Sequence, residues 1–390
     1  MKLSHRITHL TPSGSDGWEV FYRARTLKAQ GVRVTELTIG EHDIRTHPSI
    51  LQAMHNSAMG GHTGYAAVPG TAQLRQTVAN RITQRTGVAT TADNILITPG
   101  GQSALYAAHA AVCDAGDTAL FIDPYYATYP GTIRGVGAVP RAVPAHADNG
   151  FQPRADDIAK NADRAACLLI NSPNNPTGAV YTRDTLTAIA DTCKAHDLWL
   201  ISDEVYDTQV WDGLHLSPRA LPDMADRTLV IGSMSKSHAM TGSRVGWICG
   251  PEHVIAHCVN FATHTTYGVP GYIQDAAAFA LDQGIPLETE ISAPFARRRE
   301  ITETLLASQN IVRASPTQGA MYAMLDIRAT GLTGLDFANR LLDAHHIATM
   351  PGESFGDAAA GHIRVAMTVD DAAYTTALQT LLGFAAGQMP

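Results

Sequence analysis

Residues 233–244, SMSKSHAMTGSR, place one lysine, Lys236, among hydroxyls, with an arginine, Arg244, eight residues on. A lysine in a serine-rich loop is ordinarily solvated. This loop lies between two apolar runs, TLVIG before it and VGWICG after it, so its amine needs a partner or a lowered pKa. One solution is a Schiff base with an aldehyde cofactor. Three further segments follow apolar runs in the same way. NILIT leads into PGGQSA, where glycines open a helix; backbone N–H groups at a helix N-terminus, with no Cβ in the way, can cradle a phosphate. CLLIN leads into NSPNNPTG (171–178), which could also be a tight structural turn. LWLIS leads into DEVY, an acid (Asp203) and a phenol (Tyr206).

These groups converge only if the apolar runs are neighbouring strands. The runs at 94–98, 118–123, 167–171, 198–202, 228–232 and 245–250 mostly lack polar alternation, as expected of strands buried on both faces of a parallel sheet. Helical patterns lie between them. In residues 103–113, Ala104, Leu105, Ala108, Ala111 and Val112 trace one apolar face. The alternation predicts a doubly wound α/β fold, in which ligands bind at the carboxyl ends of the strands. From about Pro286 the pattern changes to a charged helix around Arg297–Glu300, a strand over 320–327, a helix over 335–345 and a strand over 362–367. That order suits a smaller α+β domain. The expected division is a large domain over 45–285 and a small one built from 1–44 with 286–390.

The 390 residues carry a net charge of −8 and no basic run, which argues against a nucleic-acid partner. No apolar stretch approaches the ~18–20 residues of a membrane span, and no apolar segment follows Lys2 and Arg6, so the expected location is the cytoplasm. Five cysteines without C-x-x-C spacing read as buried thiols. His253 and His257 stand four apart, but nothing nearby completes a metal site. There is no G-x-G-x-x-G and no G-x-x-x-x-G-K-[ST], so dinucleotide and P-loop readings lose their main support.

An amine, an acid, hydrogen-bond donors and phosphate-binding groups form the inventory for pyridoxal 5′-phosphate (PLP). With NSPNNPTG, SDEVY, SMSK plus its downstream arginine, and GHIRVAM in order, the chain resembles the class I/II aminotransferases of the fold-type-I PLP enzymes, from about Gly31 to Leu382. The resemblance implies a mostly parallel central sheet flanked by helices, plus the smaller α+β domain. It implies that Lys236 forms the Schiff base and moves the substrate proton, and that Asp203 keeps the pyridine nitrogen protonated. Asn175 and Tyr206 would bond the cofactor's phenolic oxygen. Ser233, Ser235 and Arg244, with the N–H groups of Gly101 and Gln102, would clamp the phosphate. Tyr126, where relatives often have Trp, would stack on the ring, although aromatics also fill cores routinely. Arg364, assisted by Gly40, would grip the substrate carboxylate, with Tyr126 and Asn175 beside it. Tyr65 would reach the phosphate of a neighbouring subunit, which makes a homodimer the expected unit. His42 stands where relatives commonly read Pro; a packing role and a pocket role are both open.

The resemblance also bears on substrate. An aspartate-specific branch carries a lysine where this chain has Gln102, and residues 259–283 contain no Lys or Arg while Asp275 and Asp282, if near the site, would repel an acid. The expectation is therefore an amino acid:2-oxo acid aminotransferase with a neutral donor such as alanine, and pyruvate or 2-oxoglutarate as acceptor. Aspartate aminotransferase and a PLP-dependent C–S β-lyase are the alternatives. A DNA-binding regulator built on the same fold is disfavoured by the charge.

Overall fold

The computed structural model describes residues 1–11, 17–315 and 317–389. Its centre is a seven-stranded sheet of β1 (Ile95–Thr98), β2 (Thr118–Asp123), β3 (Val139–Pro144), β4 (Ala165–Asn171), β5 (Trp199–Asp203), β6 (Thr228–Ser233) and β7 (Gly246–Cys249), in the order β1-β7-β6-β5-β4-β2-β3. All neighbours are parallel except at β7, which runs antiparallel to both β6 and β1. The apolar runs are buried on both faces, as their unbroken hydrophobicity requires. Leu96, Phe121, Leu169, Ile201, Ile231 and Ile248 face a helix-covered layer that includes Ala104, Leu105 and Ala108. Ile95, Ile97, Val230 and Trp247 pack with Val78 and Ile82 on another. Each such Leu, Ile or Phe contributes on the order of 1.5–3 kcal/mol, enough to hold the strand ends in fixed register.

Four helices bear on the strand ends and the loops beside them: α1 (Ala72–Thr86), α2 (Gly101–Val112), α3 (Tyr129–Val136) and α4 (Gly284–Ala307). A second, antiparallel sheet contains β8 (Arg313–Ala314), β9 (Tyr322–Asp326), β10 (Met350–Pro351) and β11 (His362–Ala366), ordered β10-β11-β9-β8. Its register sets Arg364 opposite Met324 on one side and Met350 on the other. A short parallel pair, Thr35–Glu36 with Ile347–Ala348, brings the N-terminal segment alongside this sheet. Among the described residues no helix is long and apolar enough to cross a membrane. The five cysteines are buried and unbridged.

Two features lie outside the sequence reading. The edge strand β3, VPRAVP, is half-exposed and carries two prolines, which lack the N–H a central strand needs, so it carries no buried-strand signature. The reversed direction of β7 has no counterpart in its composition, because a strand buried on both faces reads the same either way.

Candidate active site

At the carboxyl ends of β4, β5 and β6 lies a cavity of about 280 Å³. It is lined by Gly40, Gly101, Gln102, Tyr126, Asn175, Asp203, Tyr206, Ser233, Ser235, Lys236, Arg244 and Arg364. Of the residues the sequence nominates, only Tyr65 lies elsewhere. It is 92% exposed on the surface, with its ring edge-on to Tyr267 at 5.3 Å.

The loop after β4 is held by its own asparagines. Asn171 Nδ2 donates to the Asp203 carbonyl on the adjacent strand at 2.9 Å, and Asn171 Oδ1 accepts from the Asn175 N–H at 2.8 Å. Asn174 Oδ1 accepts from the Thr177 hydroxyl at 2.7 Å. The NSPNNPTG loop is thus both a tight turn and the mount that aims Asn175 into the cavity. Asp203, last residue of β5, is buried; Tyr129 donates to its Oδ2 at 2.7 Å. Burial pushes the carboxyl up to about 6, against the stabilising bond from Tyr129.

Lys236 follows β6 in a single helical turn whose Ser233 hydroxyl accepts from the Ser235 N–H at 3.1 Å. The Lys236 amine crosses the cavity to donate to the Gly40 carbonyl. Arg244 takes a left-handed backbone conformation, φ +51°, and its guanidinium lies against Gly100 so closely that any side chain at residue 100 would collide with it. Arg244 and the opening of α2 therefore face one space from two sides. Helix geometry leaves the first N–H groups of α2 without intrahelical acceptors.

Arg364 is 1% exposed. Its guanidinium lies 4.4 Å from the ring centroids of both Tyr322 and Phe355. Nη1 donates to Asn175 Oδ1 at 2.8 Å and Nη2 to the Thr38 carbonyl, while buried Nε has no partner among the described residues. Neither Arg364 nor Arg244 has a carboxylate partner among the described residues. A buried cation with a spare donor is incomplete until an anion reaches it.

These observations fit PLP. A helix N-terminus, two serines and an arginine suit a phosphate; a buried carboxylate suits a protonated ring nitrogen; Asn175 and Tyr206 suit a phenolic oxygen; Lys236 suits an aldehyde. The family model for "Aminotransferase class I and II" matches residues 32–381. The chain belongs to the class I and II aminotransferases. It is a PLP-dependent aminotransferase of fold type I. The chain is 41% identical, over 95% of its own length and 94% of the relative's, to an arginine–pyruvate transaminase of Pseudomonas aeruginosa. It is 32% identical, over 97% of each chain, to an aspartate/prephenate aminotransferase of Thermus thermophilus. Among solved structures, a double mutant of the Thermus thermophilus aspartate aminotransferase superposes with a TM-score of 0.92 at 31% identity, covering 99% of both chains.

Two side chains of this aminotransferase's site escape the sequence motifs. Tyr129, which holds Asp203, lies three residues after Tyr126 in a stretch that the sequence reading uses for Tyr126 alone. Tyr322 lies in β9 with no motif around it; only the fold brings it over Arg364. His42 does not line the main cavity. Its half-buried ring packs edge-on against Phe295 of α4 at 5.1 Å, and both ring nitrogens lack partners among the described residues. Burial, with the Lys236 charge nearby, holds the imidazole down at about 3, so it is neutral near pH 7. Asp275 also stands away from the cavity, bonded to Ser57 at 2.6 Å and His62 at 2.7 Å; the repulsion of acidic donors expected from it has no basis there.

Proposed function

We propose that this aminotransferase takes its amino group from donors bearing a single carboxylate, alanine among them, and passes it to pyruvate or 2-oxoglutarate. The observation that carries this reading is the charge of the cavity wall. Its lining cations are Lys236, Arg244 and Arg364, each with a role in the cofactor and α-carboxylate sites. A second carboxylate on the donor would meet no further cation among the described residues of the chain that line the cavity. It would find Gln102, whose amide is tied to Thr132 at 2.6 Å and Thr128 at 3.0 Å, and the carboxylate of Glu41. The relative named for arginine and pyruvate agrees with this restriction, since arginine has one carboxylate. Transamination is reversible, so an enzyme that accepts pyruvate also takes alanine as donor.

Bound at Lys236, PLP supplies the aldehyde carbon that receives the amino group and a ring that accepts electrons from the donor Cα. The chain supplies placement and proton transfer. Arg364 grips the α-carboxylate as a fork; Gly40 can assist only through its N–H, because its carbonyl is an acceptor. With the carboxylate fixed, the donor's Cα–H bond would face the Lys236 amine, which would take up the Cα proton and pass it on in the amino transfer. Asp203 keeps the ring nitrogen protonated, Asn175 and Tyr206 bond the phenolic oxygen, and Tyr126 covers the ring. Gly101, Gln102, Ser233, Ser235 and Arg244 hold the phosphate. The working unit in this reading is a homodimer in which Tyr65 completes the phosphate site of the other copy.

The test is a stoichiometric reaction of the PLP-loaded enzyme with single amino acids and no oxo acid. Alanine and arginine are expected to yield one equivalent of 2-oxo acid per subunit and then stop, with aspartate slower by roughly tenfold or more. Comparable rates for aspartate and alanine refute the single-carboxylate reading. Continued release of pyruvate and ammonia from cysteine over many turnovers would assign a β-lyase instead.

A further inference from the structure

Tyr322 touches three parts of the site at once. Its hydroxyl lies 3.0 Å from the Tyr206 hydroxyl, its ring lies under the Arg364 guanidinium, and its tip occupies the space that any side chain at Gly40 would need. It is 2% exposed, and Tyr206 is 4% exposed. The ring is thus fixed by Arg364 on one side, and the hydroxyl by Gly40 on another.

The hydrogen-bond directions follow from what each neighbour can give. Asn175 Oδ1 accepts from Arg364 Nη1 at 2.8 Å, which turns Nδ2 toward the Tyr206 oxygen, 3.5 Å away. Asn175 therefore donates to Tyr206. Among the described residues the Tyr322 hydroxyl has one partner, the Tyr206 oxygen. If Tyr206 donated to Tyr322, its single proton could not also be given into the cavity that both side chains line, so on the reading that Tyr206 faces the cofactor's phenolic oxygen the direction is Tyr322 to Tyr206. A phenolic oxygen has two acceptor positions and one proton. With Asn175 and Tyr322 filling the first, the proton of Tyr206 is left to be given into the cavity.

We propose that Tyr322 is a positioning residue for the transamination: its hydroxyl donates to Tyr206, so that Tyr206 in turn donates to the phenolic oxygen of the cofactor. This rests on the reading that Tyr206 faces that oxygen. Accepting a hydrogen bond polarises the O–H of the acceptor and strengthens its own donation, so the effect of Tyr322 is on the cofactor's electronics and reaches it only through Tyr206.

The test uses the PLP-loaded enzyme and the pH midpoint at which the bound cofactor's visible absorbance changes. A donor at the phenolic oxygen stabilises that oxygen as an anion, so weakening the donor raises the midpoint. Tyr322→Phe keeps the ring over Arg364 and is expected to raise the midpoint by roughly half to one unit. Tyr206→Phe is expected to raise it further, and Tyr322→Phe added to Tyr206→Phe to change it no more. An unshifted midpoint in Tyr322→Phe alongside a shifted one in Tyr206→Phe overturns the proposal and leaves the role of Tyr206 standing. No shift in either variant overturns the reading of Tyr206 itself. A Tyr322→Phe shift that persists undiminished in the Tyr206→Phe background also overturns the proposal, because Tyr322 then acts by another route.

Discussion

Asp203 shows how far a single side chain depends on the group it is meant to hold. Its carboxyl ends β5, buried, with one strong donor in Tyr129 and no paired cation among the described residues. Burial raises its pKa to about 6, above the ordinary carboxylate value near 3.8. A folded-state pKa above the unfolded one means that ionisation costs the fold stability as pH rises from about 4 to about 6, and the cost persists above that. PLP-free protein is therefore expected to lose on the order of 2 kcal/mol over that window relative to Asp203→Asn. Denaturation midpoints of both proteins across pH 4–7 would check this, and parallel curves would contradict it. Addition of PLP should flatten the wild-type curve, since a protonated ring nitrogen supplies the missing positive partner. Asp203 was legible because an acid closing an apolar run is visible in the sequence. Its partner Tyr129 lies 74 residues away on another element, and local pattern carries no record of which loops become neighbours.

At the scale of elements, the loop that presents Tyr206 is braced from behind by charge. Arg81 and Arg85, one turn apart on α1, both reach Asp207 and also Glu288 of α4. Asp207 immediately follows Tyr206, so this network ties two helices to the strand end that carries Asp203 and Tyr206. Burial alone would push the Asp207 carboxyl up, but the charges of Arg85 and Arg81 hold it down at about 2. Here the sign is the reverse of Asp203: the stabilisation is present above about pH 4 and is lost as pH falls through about 2. Arg81→Met leaves two largely buried carboxylates to one arginine and is expected to cost about 3 kcal/mol. It should also move acid unfolding to higher pH, both measurable by denaturation at pH 7 and pH 3. An unchanged acid limb would show that the network does not brace the loop. The sequence placed most of these elements because unbroken apolar runs are what a sheet covered on both faces demands. It could not place β3, whose prolines and exposure mark a sheet edge, nor the direction of β7.

At the scale of the whole molecule the surface around Tyr65 remains to be accounted for. Tyr65 is almost fully exposed, and Met59, Tyr267 and Leu51 are also exposed large apolar side chains. A second copy of the chain would cover such side chains, and in the proposed dimer it also brings Tyr65 to the other copy's phosphate. That arrangement predicts that two defective variants repair each other. Tyr65→Ala should weaken phosphate binding in the partner's site, and Lys236→Ala should remove the proton carrier from its own. In a hybrid dimer, one site combines the intact Lys236 of the first chain with the intact Tyr65 of the second, while the other site carries both defects. Mixing the variants after reversible dissociation makes about half of the dimers hybrids, each with one working site. Activity should then rise to about a quarter of the wild-type value at limiting PLP. Light scattering of the wild type should give a dimeric mass. If the mixture stays as inactive as its parents while exchange of subunits is demonstrated by mass, Tyr65 serves its own chain or none, and each site is complete within one polypeptide.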